Sequence, residues 1–253
     1  MDYIIVCVSH RRPKLFGSKT YDLLKRTNAP KPILWLNDSR DYKEYSQLYP
    51  ELEIHVGGET LKDKRSIIQY YYPEGQKIVF IDDDIKNIVV YDESESRGKR
   101  NLSDFNALVE LAFSLCEKKD NSFWGVYPVD NSLFMKPVLR TNLCYCVGAL
   151  YGVVNKRINT QTNYAEDFER SILYWLMENK VLRLDFIGLS TQYYKQEGGL
   201  QETRTEDKNY HDKKLLVDTY PTIVKIIEKR GRAEIGFIRS KSITTKFAIP
   251  LEI

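Results

Sequence analysis

The chain has 253 residues, 42% of them hydrophobic and 29% charged; that is enough for one sizeable core and excludes a disordered chain. Its 38 Lys and Arg against 35 Asp and Glu leave a formal charge of +3, so net charge demands neither a nucleic acid nor a membrane partner. No apolar run approaches the roughly 18–20 residues of a bilayer-spanning helix. The opening MDYIIVCVSH lacks the basic start of a signal peptide, and the four cysteines form no CxxC pair. Zinc and disulfide frameworks are therefore set aside in favour of reduced thiols in the cytoplasm.

In chain order, the apolar run Ile4 to Val8 reads as a buried strand ending in the polar, basic turn Ser9-His10-Arg11-Arg12-Pro13. Residues 18–27 read as a helix with Ser18 as N-cap, 33–36 as a second strand ending in Asn37-Asp38, and 41–48 as a helix. Residues 52–56 are a third strand, 59–72 a basic helix carrying Lys64 and Arg65, and 77–81 a fourth strand running into Asp82-Asp83-Asp84. Short buried strands alternating with helices are the α/β signature, and they predict a largely parallel sheet with helices on both faces. Ligands of such sheets sit beyond the carboxyl ends of the strands, where these polar turns fall.

Further on, 88–91 reads as a strand, 103–117 as an amphipathic helix, and 123–127 and 143–154 as strands of a mixed extension. Residues 166–179 read as a helix, 182–187 as a strand, 196–209 as a glycine-containing polar loop and 210–229 as a final helix. The tail 225–246 has seven Lys or Arg against two Glu, 7 − 2 = +5. We expect one domain over 1–220 with a basic C-terminal extension, 221–253, packed on it.

The acidic triplet carries the chemistry. Side chains alternate along an extended chain, so Asp82 and Asp84 can point the same way. Two carboxylates on one side repel unless a cation sits between them or one takes a proton. A hard divalent ion, Mn²⁺ or Mg²⁺, satisfies them and stabilises a departing diphosphate as a Lewis acid.

A strand ending in a DxD motif about 80 residues into an α/β region resembles the GT-A glycosyltransferases of the nucleotide-sugar type. The resemblance covers residues 1 to about 215 and is strongest over the first 90. It implies a GT-A-like mixed sheet and a metal-dependent sugar transfer from a nucleotide sugar, a UDP-sugar before others. It further implies that the loop His10, Arg11 and Arg12 holds the nucleotide, that Asp38 meets the base or ribose, and that Lys64 or Arg65 meets the donor together with Asp82 and Asp83.

Glu166-Asp167 opens a helix, where acidic residues are favoured by the helix dipole alone. It also resembles the acidic motif that GT-A enzymes turn toward the acceptor. One such carboxylate is the general base of inverting members, here Asp167 first and Glu166 second. Gly198 and Gly199 suit a loop folding over the donor phosphates, and His211 stands where the family takes a third metal ligand beside Asp82 and Asp84.

FIDDDI, AEDFE and GGLQETR together resemble the small viral and phage glycosyltransferases that modify DNA bases. That implies a 5-hydroxymethyl pyrimidine in DNA as acceptor, a host-cell cytoplasm as setting, and phosphate contacts from the basic tail. A glycan or protein acceptor is the alternative. A nucleotidyltransferase is another, although its glycine-rich first loop is missing here, with no glycine before Gly17.

Overall fold

The computed structural model describes residues 2–191, 204–229, 231–238 and 242–253. The first half alternates as expected. β1 (Tyr3–Val8) leads into α1 (Pro13–Phe16), a π turn (Gly17–Tyr21) and α2 (Asp22–Arg26). Then come β2 (Ile33–Leu36), α3 (Ser39–Leu48), β3 (Ile54–Val56), α4 (Leu61–Tyr71) and β4 (Lys77–Asp82). The four strands are parallel, in the spatial order β3-β2-β1-β4. The first helical stretch begins at Pro13 rather than at Ser18. Proline's fixed φ and missing N–H suit a first helical position, so it starts the helix instead of prolonging the turn. Thr60 and Asp63 close a reciprocal capping box that starts α4, satisfying two backbone N–H groups at the helix start.

The second half contains β5 (Asn87–Tyr91), β6 (Lys99–Asn101), α5 (Phe105–Lys118), β7 (Phe123–Tyr127), β8 (Val138–Thr141) and β9 (Leu150–Val154). It continues with α6 (Glu166–Glu178), β10 (Leu182–Ser190), α7 (Glu206–Thr219), β11 (Val224–Lys229), β12 (Arg232–Phe237) and β13 (Ile243–Lys246). The main sheet runs β13-β8-β10-β7-β9-β4-β1-β2-β3, with β5 on β10 and β6 on β5. It is an α/β fold whose sheet is parallel up to β4 and mixed beyond it, since β9 runs antiparallel to both β4 and β7.

Other segments also differ from the sequence reading, and α7 begins at Glu206, inside the stretch read as a loop. The run 143–154 is a strand only from Leu150; before that, a loop starts at Asn142, held at φ 74°. The helix expected over 210–229 ends at Thr219 and a β-hairpin follows. Pro221 biases Tyr220 away from helical geometry. The β-branched residues of 222–227 then favour strand, and Gly231 turns the hairpin at φ 73°.

The central strand β4 is buried on both faces. Val79 and Ile81 join the cluster containing Phe105, Leu108 and Trp124, whereas Ile78 and Phe80 join Ile68, Tyr151 and Tyr174 on the other side. The described residues after Tyr220 make contact with the rest of the chain. The hairpin's Val224 and Ile235 share a cluster with Ile172 of α6 and Leu216 of α7, and β13 extends the main sheet beside β8. Among the described residues no helix is long and apolar enough to cross a membrane.

Gly152 marks a place where β9 tolerates no side chain, because a Cβ there would lie 2.3 Å from the Trp124 indole. Gly152→Ala is expected to lower stability by about 1–3 kcal/mol, read as a lower urea midpoint with an unchanged slope.

Candidate active site

β1 and β4 lie side by side in the same direction, with Val8 level with Asp82. Ser9 and the Asp82–Asp84 turn therefore emerge together at the carboxyl edge of the sheet. They open into a cavity of about 1120 Å³, room for more than one drug-sized ligand. Asn37, the start of α4, the loop before β9 and the start of α6 line it on the sheet side, and Arg204, α7 and the β11–β12 hairpin line the far side.

The strand ends at Asp82, and exposure alternates through the turn that follows. Asp83 is buried while Asp82 and Asp84 are half-buried. Asp83 accepts from the Ser9 hydroxyl and lies 3.4 Å from the Arg12 guanidinium. Asp82 lies 3.0 Å from Arg65, and Asp84 accepts from Thr191 at 3.0 Å. Burial pushes the Asp82 carboxyl up to about 7, against the pull of Arg65 and with Asp84, Asp83 and Asp167 adding repulsion. Burial likewise pushes Asp83 up to about 6, opposed by Arg12, and raises Asp84, opposed by Thr191. Desolvated carboxyls crowded by their own like charge fit a divalent cation, which would keep them ionised.

Asp167 reaches the same cavity from α6. Its carboxylate accepts from the Tyr145 hydroxyl at 2.5 Å and from the Phe168 N–H at 2.9 Å. Burial raises its pKa, with the Tyr145 bond opposing. A half-buried carboxyl raised above the usual range suits a general base. Glu166 is placed differently. It is 4% exposed, with Oε1 against Arg65 and Oε2 against Arg170.

After β1, His10 lines the cavity and its Nδ1 lies 2.7 Å from Asp41 Oδ2. Arg12 lines it too, whereas Arg11 is exposed at φ 54° and reaches Asp41 through its backbone N–H. Asp38 caps α3 by accepting the Asp41 N–H at 2.9 Å; Asn37, its neighbour, is the residue that lines the cavity. His10, Asp38 and Asp41 hold their ligating atoms within 4.8 Å of one another, the one group of three spaced for a metal ion among the described residues.

Lys64 is 3% exposed and bonded to Asn37. Burial pulls its pKa down to about 8, although Asp41 and Asp83 oppose this. The unfolded chain thus holds this proton more tightly than the folded one. Between about pH 8 and 10.5 Lys64 makes stability rise with pH, by up to about 3 kcal/mol. Denaturant titrations across that window are expected to show the rise in the wild type and a flatter profile in Lys64→Met.

His211 is exposed on α7 and does not line the cavity. The face of α7 turned inward carries Lys208, Asp212, Lys213 and Leu216. Asp212 accepts the Asn163 and Tyr164 N–H groups, and Leu216 enters a core cluster. His211 falls outside that stripe, so the expected set Asp82, Asp84 and His211 is not brought together. Gly198 and Gly199 lie outside the described residues.

Several site residues escaped the sequence reading. Tyr145 and Gly148 sat in what read as a strand, and Arg170 fell within the helix read over 166–179 with no role assigned to it. The hairpin's Lys229 and Arg232, with Arg204, Lys208 and Lys213, make the far wall basic against Glu234; the excess of Lys and Arg in the tail signalled only the first two.

No protein-family model matches the chain, and no curated protein does. Among solved structures it is similar to mannose-6-phosphate isomerase from Helicobacter pylori, with 6% identity, a TM-score of 0.35, and 93% of this chain and 85% of that one covered. A likeness so slight carries no argument about chemistry.

Proposed function

We propose that the chain is a metal-dependent glycosyltransferase that moves a sugar from a nucleotide sugar to a hydroxyl acceptor. One observation carries this reading. Three carboxylates at the end of β4 and a fourth, Asp167, at the start of α6 converge on a single cavity that also holds Arg12, Lys64 and Arg65. Asp82 and Asp84 are the residues to hold Mn²⁺ or Mg²⁺, which when bound supplies charge stabilisation to the departing nucleotide diphosphate. Arg12 and Lys64 add fixed positive charge on the donor side. Asp167, oriented by Tyr145, takes the acceptor's hydroxyl proton. The four described cysteines are free and buried, in keeping with a cytoplasmic enzyme.

The basic far wall favours an anionic acceptor, and DNA carrying 5-hydroxymethyl pyrimidines fits that wall. If three of these cations meet phosphates, binding weakens about 40-fold between roughly 50 and 200 mM salt. A neutral glycan acceptor shows no such slope.

The test is nucleotide release from UDP-, GDP- and TDP-sugars, with and without Mn²⁺ and hydroxymethylated DNA. Metal-dependent release stimulated by that DNA supports the reading. No metal-dependent turnover with any donor sinks it, and pyrophosphate release from a nucleoside triphosphate plus sugar phosphate replaces it with a nucleotidyltransferase. The His10, Asp38 and Asp41 group is a second place for the ion. In that case Asp38→Asn removes Mn²⁺ binding and Asp82→Asn does not.

A further inference from the structure

A buried chain of charge links the two halves of the cavity. Arg65 reaches from α4 to Asp82 at the end of β4 (3.0 Å), to the Gly148 carbonyl (2.7 Å) and to Glu166 at the start of α6. Arg170, one turn along α6, takes the other oxygen of Glu166, and its guanidinium lies 3.9 Å from the centroid of the Tyr151 ring. Arg65, Arg170 and Glu166 are each no more than 4% exposed. The packing around them is close, since a Cβ at Gly148 would stand 2.9 Å from Glu166 and 3.0 Å from Arg65. Two guanidiniums and two carboxylates sum to zero.

We infer that Glu166 is a positioning residue. It shares the Arg65 guanidinium with Asp82 and so weakens the hold of that guanidinium on the Asp82 carboxylate, leaving it available to a divalent cation, while Asp167 alone serves as base. This rests on the glycosyl-transfer reading above. Both oxygens of Glu166 face guanidiniums, so neither is free to take a proton from an acceptor. Removing its charge leaves Arg65 with Asp82 as its only carboxylate partner and turns the group from neutral to +1, which opposes cation binding. Removing the charge of Arg170 does the reverse: the group becomes −1 and Glu166 is left wholly to Arg65.

The experiment is Mn²⁺ binding to the full chain without donor or acceptor, followed by the electron paramagnetic resonance of the free ion. Glu166→Gln is expected to raise the Mn²⁺ dissociation constant about 10–100-fold, the usual size for loss of a partner that orients a metal ligand, and Arg170→Gln to lower it. A merely structural loss weakens binding in both variants and overturns the inference. At saturating Mn²⁺, Glu166→Gln is expected to recover turnover and keep the acidic limb of its pH profile. Unchanged Mn²⁺ affinity with turnover lost at every Mn²⁺ concentration makes Glu166 the base and also overturns it. If Glu166→Gln does not fold, Glu166→Asp shortens the reach to Arg65 and is expected to shift affinity in the same direction by less. A wild type that binds no Mn²⁺ removes the glycosyl-transfer reading together with this inference; a wild type that binds, with a Glu166→Gln that binds equally, removes the inference alone.

Discussion

Asp82→Asn is expected to lower kcat/KM for sugar transfer by about 10³-fold, and to abolish the dependence of the residual rate on Mn²⁺. A bound cation's stabilisation of a leaving diphosphate amounts to several kcal/mol, and about 4 kcal/mol is three decades of rate. The same change has a second, opposite readout. Asp82 is raised to about 7 in the folded protein by burial among Asp84, Asp83 and Asp167. A carboxyl raised on folding costs stability as pH rises through the interval from about 4 to about 7. Without metal at pH 8 the variant is therefore expected to melt above the wild type. Mn²⁺ is expected to raise the melting temperature of the wild type and leave that of Asp82→Asn unmoved. An Asp82→Asn protein with wild-type turnover at the same Mn²⁺ concentration would place the ion elsewhere.

Asp167→Asn is expected to lower kcat by about 10²–10⁴-fold, the range for loss of a general base, with Mn²⁺ affinity and the KM for the nucleotide sugar retained. The wild-type rate is expected to rise with pH as Asp167 ionises, at a pH above the ordinary carboxyl range because burial raises it. That limb is expected to vanish in the variant. Tyr145→Phe removes the 2.5 Å hydrogen bond that steadies Asp167 and opposes its raised pKa. It is expected to move the limb to higher pH with a smaller loss of rate. An Asp167→Asn enzyme that keeps both its rate and its acidic limb would assign the base to another group.

These two carboxylates illustrate the two kinds of information in the chain. Asp82 announces itself locally. An apolar, β-branched strand running into consecutive acids can be read without any knowledge of its neighbours, because strand burial and side-chain alternation are properties of a few adjacent residues. The same holds for the alternation of strands and helices up to β4, and so for the α/β class and for the edge of the sheet on which ligand chemistry falls. Asp167 was visible as part of an acidic helix start and was ranked before Glu166 as base, but nothing within the motif gives the physical reason for that order. The difference lies in partners far along the chain: Tyr145 for the one, Arg65 and Arg170 for the other.

Local signals that were present and misread also have physical causes. Pro221 and the β-branched residues after it mark the end of α7, yet the helix read over 210–229 ran through them. Residues 143–149 are apolar enough for a strand. They form a loop because Arg183 takes the Tyr145 carbonyl, Ser171 bonds the Cys146 N–H, and Arg65 takes the Gly148 carbonyl. Those backbone groups find side chains rather than a neighbouring strand.

The sequence by itself determined the fold class, the sheet edge where the polar turns gather and the presence of an acidic turn, since each depends on periodicity and composition over short windows. Only the tertiary structure decided which acids share a cavity, which basic residues neutralise them, that Asp38 caps a helix, and that His211 faces away. Those outcomes depend on contacts between residues tens to more than a hundred positions apart, such as Arg65 with Glu166. Burial at such contacts, rather than residue type, sets whether a carboxylate is a ligand, a base or a counter-ion.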